Sequence, residues 1–245
     1  MIGNGNQVKV LVIVSRGLPM EWVDEIRESV PQADITTTED QINSIRASVP
    51  GVNAIINCPR HFFDAELLEC AGTSLRWLHV GGAGCEEFII PELLDSDITL
   101  TNGRIIQGPE VADHAMALLL ALTRNLNFVL RGRVSTPMPR PIELRQKTAV
   151  VIGVGGVGML IAERVRAFGA RVIGVDPQYK PMLSFVNEIL PPDLLIDALA
   201  QGDFVFMASP HTERSAKMMS DREFAAMKPT AYYISVSRGT TTDTD

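Results

Sequence analysis

Residues 148–177 read TAVVIGVGGVGMLIAERVRAFGARVIGVDP. An apolar, β-branched run ends in Gly153, Gly155 and Gly158, an amphipathic stretch follows, and a second apolar run closes on Asp176. In a strand–turn–helix–strand unit of this kind each glycine has its own task. Gly153 permits the tight turn, Gly155 leaves room for a pyrophosphate to approach the backbone, and Gly158 lets the helix pack closely on the strand. The amides of Gly156 and Val157 then face the phosphates from the positive end of the helix dipole. Asp176, at the end of the second strand, is spaced to accept hydrogen bonds from ribose hydroxyls, and its charge opposes a 2'-phosphate. The stretch therefore points to NAD rather than NADP, with Lys180 nearby working against that preference. A glycine-rich turn alone is a weak signal; here strand, glycines, helix, strand and acid agree.

Outward from this unit, short β-branched runs alternate with longer amphipathic stretches along the whole chain, the pattern of βαβ units around a parallel sheet. The class expected is α/β. Strands are predicted at residues 8–14, 52–57, 77–80, 148–152, 171–175, 204–208 and 232–236; several are almost wholly apolar, as strands buried on both faces are. Between Gly103 and Gly132 lies the longest helical pattern, GPEVADHAMALLLALTRNL, with Pro109 suited to a first turn. Its centre is apolar nearly all round, which suits a helix sandwiched between two packed bodies. The following VSTPMPRPIEL, with three prolines, reads as a linker. These features divide the chain into residues 1–102 and 103–245.

The balance of 46% hydrophobic and 21% charged residues is that of a globular protein, and 245 residues suffice for two cores. Acidic residues outnumber Lys and Arg by 29 to 22, giving a net charge of -7 with no basic cluster, so nucleic-acid partners are not expected. Cys58, Cys70 and Cys85 have no metal-ligand spacing and are too few for a disulfide framework, so no metal is expected and a reducing cytoplasm fits. The opening MIGNGNQVKVLVIV lacks the marks of a signal peptide, and the longest apolar run, residues 115–122, is too short for a bilayer. A soluble, cytoplasmic protein without a membrane partner is the expectation.

The order of motifs around the glycine unit resembles that of the D-isomer-specific 2-hydroxyacid dehydrogenases along nearly the whole chain. WLHVGGAGCEEF is similar to that family's substrate loop, ITLTNGRIIQGPEVADHAMALLLALTR to its interdomain helix, and ELRQKTAVVIGVGGVG to the start of its cofactor domain. GDFVFMASPHTERS and FAAMKPTAYYISVSRGTTTDTD resemble its later cofactor strand and its catalytic-arginine strand. The resemblance implies a Rossmann-type dinucleotide-binding domain (103–245) inserted in a flavodoxin-like substrate domain, of which residues 1–102 would be the N-terminal part. It also implies reversible hydride transfer between NAD(H) and a small 2-oxo or D-2-hydroxy acid, and a homodimer in the full-length protein.

By that resemblance Arg238, in SVSRG, is the catalytic arginine that holds the substrate's carboxylate and polarises its carbonyl. A planar, permanently charged fork suits both tasks. Taken without the resemblance, Arg238 reads as a strand-end arginine paired with a surface acid. Gly82, Ala83 and Gly84 match the loop that grips the carboxylate through backbone amides; the alternative is an ordinary glycine turn before a helix opened by Glu86 and Glu87. Ser209, Val236, Ser237 and Arg238 fall where the family lines the nicotinamide side of the cofactor.

Among the four histidines, none matches the family's proton donor: His211 reads as a lining residue, His114 as a helix-surface or interface residue, His79 as part of a buried strand and His61 as a loop residue. In the family the catalytic histidine and its carboxylate partner follow the arginine, which makes this sequence look like an inactive fragment of a longer protein. A different class, a non-catalytic NAD-binding regulator of the corepressor kind, shares the same fold.

Overall fold

The computed structural model describes residues 7–15, 20–132, 138–178 and 184–244. The chain divides into two units, Met1–Arg104 and Ile105–Asp245.

In the first unit the strands are β1 (Lys9–Val14), β2 (Asp34–Glu39), β3 (Ala54–Ile56), β4 (Trp77–Val80) and β5 (Thr99–Asn102), and the helices are α1 (Glu21–Ser29), α2 (Ile42–Ser48), α3 (Ala65–Ala71) and the single turn α4 (Pro91–Leu94). The sheet runs β2-β1-β3-β4-β5, all parallel. That is the flavodoxin-like order, whose switch point lies between the first and third strands. The strand period of two sends alternate residues of β1 to opposite faces. Leu11 and Ile13 join Ile45, Leu67 and Leu78 under α2 and α3, while Val10 and Val12 meet Val23 of α1. Asp64 fixes the start of α3 by accepting from the Leu67 amide at 2.8 Å.

The second unit contains α5 (Gly108–Thr123), α6 (Leu126–Leu130), β6 (Thr148–Ile152), α7 (Gly156–Ala167), β7 (Arg171–Val175), β8 (Glu188–Leu190), α8 (Leu195–Gln201), β9 (Phe204–Met207), α9 (Asp221–Ala226) and β10 (Tyr232–Ser235). Its parallel sheet is ordered β10-β9-β6-β7-β8. Counted within the unit this is 3-2-1-4-5, the order of the doubly wound dinucleotide fold, with the switch point between β6 and β9. Ala149, Val151, Phe204 and Phe206 pack under α5 and α7, whereas Val150, Ile152, Val205 and Met207 pack under α8. Gly108, Ala112 and Ala115 give α5 a small-residue stripe, and Arg164 of α7 donates to Asp113 of α5 at 2.6 Å. At the opposite end of the sheet Asp203 takes the Thr148 amide at 2.9 Å and the Lys228 ammonium at 3.0 Å. Burial pushes the Asp203 carboxyl up, but that amide and that ammonium outweigh it and hold the group below the ordinary carboxylate range.

Three strands go unpredicted from sequence, β2, β5 and β8, and each lies at a sheet edge. None of the three holds a buried residue, so each lacks the apolar run that marks a covered strand; β2 reads DITTTE. The long helical pattern breaks at Asn125, which adopts φ 60° and donates from its side chain to the Pro139 carbonyl at 2.6 Å. Asn tolerates that left-handed conformation, so one expected helix becomes α5 and α6. Glu86 and Glu87 open only a 3₁₀ turn, Glu86–Phe88. The turn stops at Ile89, which leaves helical geometry, and Ile90, before Pro91, is extended, so no helix continues from Glu86. Residues 138–144 of the expected linker hold no helix or strand; 133–137 lie outside the described residues. Among the described residues, no helix is long and apolar enough to cross a membrane, and no cluster of His, Cys, Asp and Glu could hold a metal ion.

Candidate functional site

The three glycines after β6 meet three different surroundings. Gly153 has φ 86°, and a Cβ there would lie 2.6 Å from the backbone of Ser209. The turn after β6 and the exit of β9 thus touch at the switch point, where open α/β sheets take their ligands. A Cβ on Gly158 would sit 1.9 Å from the Gly153 carbonyl oxygen, so α7 reaches its strand only because this position lacks a side chain. A Cβ on Gly155 would meet nothing within 4 Å: here the glycine leaves open space beside the backbone. Gly155 also caps α7, so the amides of Gly156, Val157 and Gly158 form its first turn, while the Val157 side chain packs on the core beneath. Open space in front of unpaired helix-start amides is what a pyrophosphate requires.

Asp176 is half-buried at the end of β7. Its Oδ2 accepts from the Val154 amide and its Oδ1 from the Gln178 amide, both at 2.9 Å. The carboxylate is therefore oriented by the glycine turn and holds that turn in place. Its spacing in the sequence leads to the expectation of a ribose partner but gives no sign of these amide contacts. Lys180 lies outside the described residues.

On the other side of the switch point, Val236 continues β10 by donating its amide to the Met207 carbonyl at 3.0 Å, and the Ser237 hydroxyl donates to the Ser209 carbonyl. Ser209 in turn lies 3.3 Å from the Met207 sulfur through its Oγ. Arg238 is exposed and extended, with φ -114° and ψ 146°, and its carbonyl accepts from the Thr241 hydroxyl at 2.7 Å as the 3₁₀ turn Gly239–Thr241 begins. Ser235, Val236 and Ser237 face Glu110, Val111 and His114 of α5 across an open cavity of about 350 Å³. Glu110 and His114 stand four apart and so share one helix face. Nothing in the sequence joins that face to residues more than a hundred positions away, and His114, expected on a surface or interface, lines this cavity.

The other histidines are placed as follows. His211 bonds through Nδ1 to Thr240 Oγ1 at 2.9 Å, and His79, on β4, bonds through Nδ1 to Thr101 Oγ1 at 2.9 Å. His61 is exposed in a 3₁₀ turn against Phe62.

In the first unit, the loop after β4 is held by its carbonyls. Gly82 accepts from the Gly103 amide at 3.0 Å, and Ala83 accepts from Asn102 Nδ2 at 2.5 Å. These bonds engage the carbonyls of Gly82 and Ala83, two of the three residues, with Gly84, whose amides the sequence expects to grip a carboxylate. Asn57, in the left-handed region at φ 62°, puts its Oδ1 2.8 Å from where a Gly81 Cβ would stand, so a side chain at Gly81 would require the Asn57 carboxamide to move. Cys58, next in the chain, is buried; burial first, then the carboxylates of Asp40 and Asp64, push its thiol up to about 12, which removes it as a nucleophile near neutral pH.

Comparison with known proteins agrees with this geometry. Residues 116–245 match the family model described as D-isomer specific 2-hydroxyacid dehydrogenase, NAD binding domain. A glyoxylate reductase of Thermococcus gammatolerans is 27% identical over 97% of this chain and 74% of its own length. A D-3-phosphoglycerate dehydrogenase of Mycobacterium leprae is 27% identical over 87% of this chain, which spans only 43% of that relative. Among solved structures, a D-lactate dehydrogenase from Treponema pallidum aligns with TM-score 0.79 at 21% identity, covering 96% of this chain and 72% of that one. The apo D-mandelate dehydrogenase of Rhodotorula graminis gives 0.79 at 19% identity, covering 98% and 76%. At these identities the structural likeness is one of fold. The matched residues take in all but the first part of the second unit, with its glycine turn, Asp176 and Arg238, and the chain belongs to the D-isomer-specific 2-hydroxyacid dehydrogenase family, with NAD as the cofactor of its binding domain.

Proposed function

We propose that this protein catalyses reversible hydride transfer between NAD(H) and a small 2-oxo or D-2-hydroxy acid, of the size of glyoxylate or hydroxypyruvate or carrying a phosphate as phosphoglycerate does. The observation that carries this is the position of Arg238. It stands exposed at the carboxyl end of β10, in the same sheet and at the same edge as the glycine turn and Asp176. When bound, the nicotinamide supplies or accepts the hydride. The residues of this chain supply binding and charge. Gly155 leaves the opening for the pyrophosphate, the α7 amides bind it, and Asp176 accepts from the ribose hydroxyls. Arg238 holds the acid's carboxylate and puts positive charge where the carbonyl oxygen becomes an alkoxide, which lowers the barrier most when the charge is in place before reaction. In the first unit, the amides of Gly82, Ala83 and Gly84 are the carboxylate donors. Ser209, Val236 and Ser237 line the nicotinamide side.

The experiment, on the full-length protein, is NADH oxidation with glyoxylate, hydroxypyruvate and 3-phosphohydroxypyruvate, with acetaldehyde as the control that lacks a carboxylate. Turnover confined to the acids supports the assignment. NADH binding with no turnover of any acid favours the regulator of the same fold instead. Homodimer formation is part of the proposal; it is supported by the exposed apolar residues Leu118, Leu126, Val129 and Leu130 on α5 and α6, and light scattering checks it.

A further inference from the structure

Arg238 belongs to an exposed turn, yet a guanidinium that must meet a carboxylate and a carbonyl at once needs a fixed origin. The turn is bracketed by one loop. On its upstream side, Ser237 donates its hydroxyl to the Ser209 carbonyl; on its downstream side, Thr240 Oγ1 bonds to His211 Nδ1 at 2.9 Å. The two anchors are two residues apart in the loop after β9, and Arg238 lies between their partners. That loop is itself tied into a knot. The buried Ser215 hydroxyl donates to the Pro210 carbonyl at 2.7 Å and accepts from the Thr212 amide at 2.8 Å, while the Ser215 amide returns to the Thr212 carbonyl at 3.1 Å. Farther along, the Lys217 amide donates to the Thr240 carbonyl at 2.8 Å and the Met219 amide to the Thr241 carbonyl at 3.1 Å. Lys217 takes the left-handed conformation, φ 50°, to do so, a strain for a residue with a side chain that the surrounding bonds must hold.

The backbone bonds fix where the turn sits; the His211 contact is the side-chain tie on the downstream side of Arg238, as Ser237 is on the upstream side. We propose that His211 is a positioning residue: carried on the knotted loop, its imidazole holds Thr240 and thereby sets the direction in which Arg238 leaves β10. This rests on the assignment of Arg238 as the acid-binding arginine. The contact gives His211 a structural duty through Nδ1. Neither His211 nor Thr240 is among the residues assigned to the cofactor, so their tie should govern the acid more than the nucleotide.

The test uses the purified protein loaded with NADH, titrated with oxamate as a non-reacting mimic of a 2-oxo acid. His211→Ala and Thr240→Val should weaken oxamate on the order of 10-fold while NADH affinity stays within about a factor of two. His211→Asn, whose amide reaches the position of Nδ1, and Thr240→Ser, which keeps the hydroxyl, should restore oxamate binding. Hydrogen exchange of the amides at 240–243 should rise in the first pair and not in the second. Unchanged exchange in His211→Ala and Thr240→Val overturns the tie, as does an Asn variant as weak as the Ala variant. If the wild-type NADH complex binds no oxamate, the acid assignment fails on its own, and the exchange measurement still decides whether His211 holds the turn.

Discussion

Replacing Gly158 with Ala asks what the third glycine does. The added Cβ would lie 1.9 Å from the Gly153 carbonyl oxygen and 3.0 Å from its carbon, and both are backbone atoms that no rotamer can move aside. Contacts under 3.0 Å are essentially never tolerated, so the start of α7 must withdraw from β6 by at least about 1 Å, in an interior packed as densely as a crystal. Overpacking of this kind costs about 1 to 3 kcal/mol, and the better helix propensity of Ala returns less than about 1 kcal/mol in a first turn. A net loss of about 2 kcal/mol lowers the melting temperature by roughly 4 to 8 °C for a chain of this size. The same withdrawal drags the amides of Gly156 and Val157 off the pyrophosphate, so NADH should weaken by at least about 10-fold. Gly155→Ala is the control, because its Cβ meets no protein atom within 4 Å. It should melt like the wild type and still bind NADH poorly, because the methyl occupies the space a phosphate needs. Thermal melting and NADH fluorescence titration of both variants decide the matter. A Gly158→Ala protein that melts within about 1 °C of wild type and binds NADH equally well would show that α7 is not held at the distance observed.

Asp176→Ala should narrow the preference for NADH over NADPH and also loosen the glycine turn, since the Val154 amide loses its acceptor; Asp176→Asn should narrow the preference while keeping the turn, as titrations with both nucleotides and a melting curve can show. Arg238→Lys keeps the charge but loses the two-pronged geometry, so kcat/KM for the 2-oxo acid should fall by about 2 to 4 kcal/mol with NADH binding unchanged, and a variant within a factor of about two of wild type would make Arg238 structural. Because the Asp203 carboxyl is depressed in the folded state, its stabilisation is fully present above the unfolded carboxylate value of about 3.9 and is lost as pH falls through the lower folded value. Asp203→Asn should therefore cost about 1 to 3 kcal/mol near neutral pH and shrink the fall in stability below pH 4, measured by urea unfolding across pH. Cys58, its thiol pushed up to about 12, should resist alkylation at pH 8 in the folded protein and react only on unfolding, which mass spectrometry of labelled peptides can follow.

Much of this was written in local sequence because the causes are local. Central strands such as β6 and β7 are covered on both faces and therefore read as apolar runs, whereas the edge strands β2, β5 and β8 keep polar faces and left no such mark. The spacing of Gly153, Gly155, Gly158 and Asp176 is a property of one strand–helix–strand unit, so the glycine turn and its acid could be named without knowing what surrounds them. That Gly155 opens space and Gly158 lets the helix close on its strand was legible in that spacing; the Ser209 backbone pressed beside Gly153 was not, because it arrives from another strand. The bond from the Val154 amide to Asp176, the wall that Glu110 and His114 present to Ser235, Val236 and Ser237, and the tie between His211 and Thr240 each join residues 22 to more than 120 positions apart. Residue type and spacing set what a segment can do by itself; only the parallel sheet, by lining up the carboxyl ends of β6, β9 and β10, decided which of those segments meet.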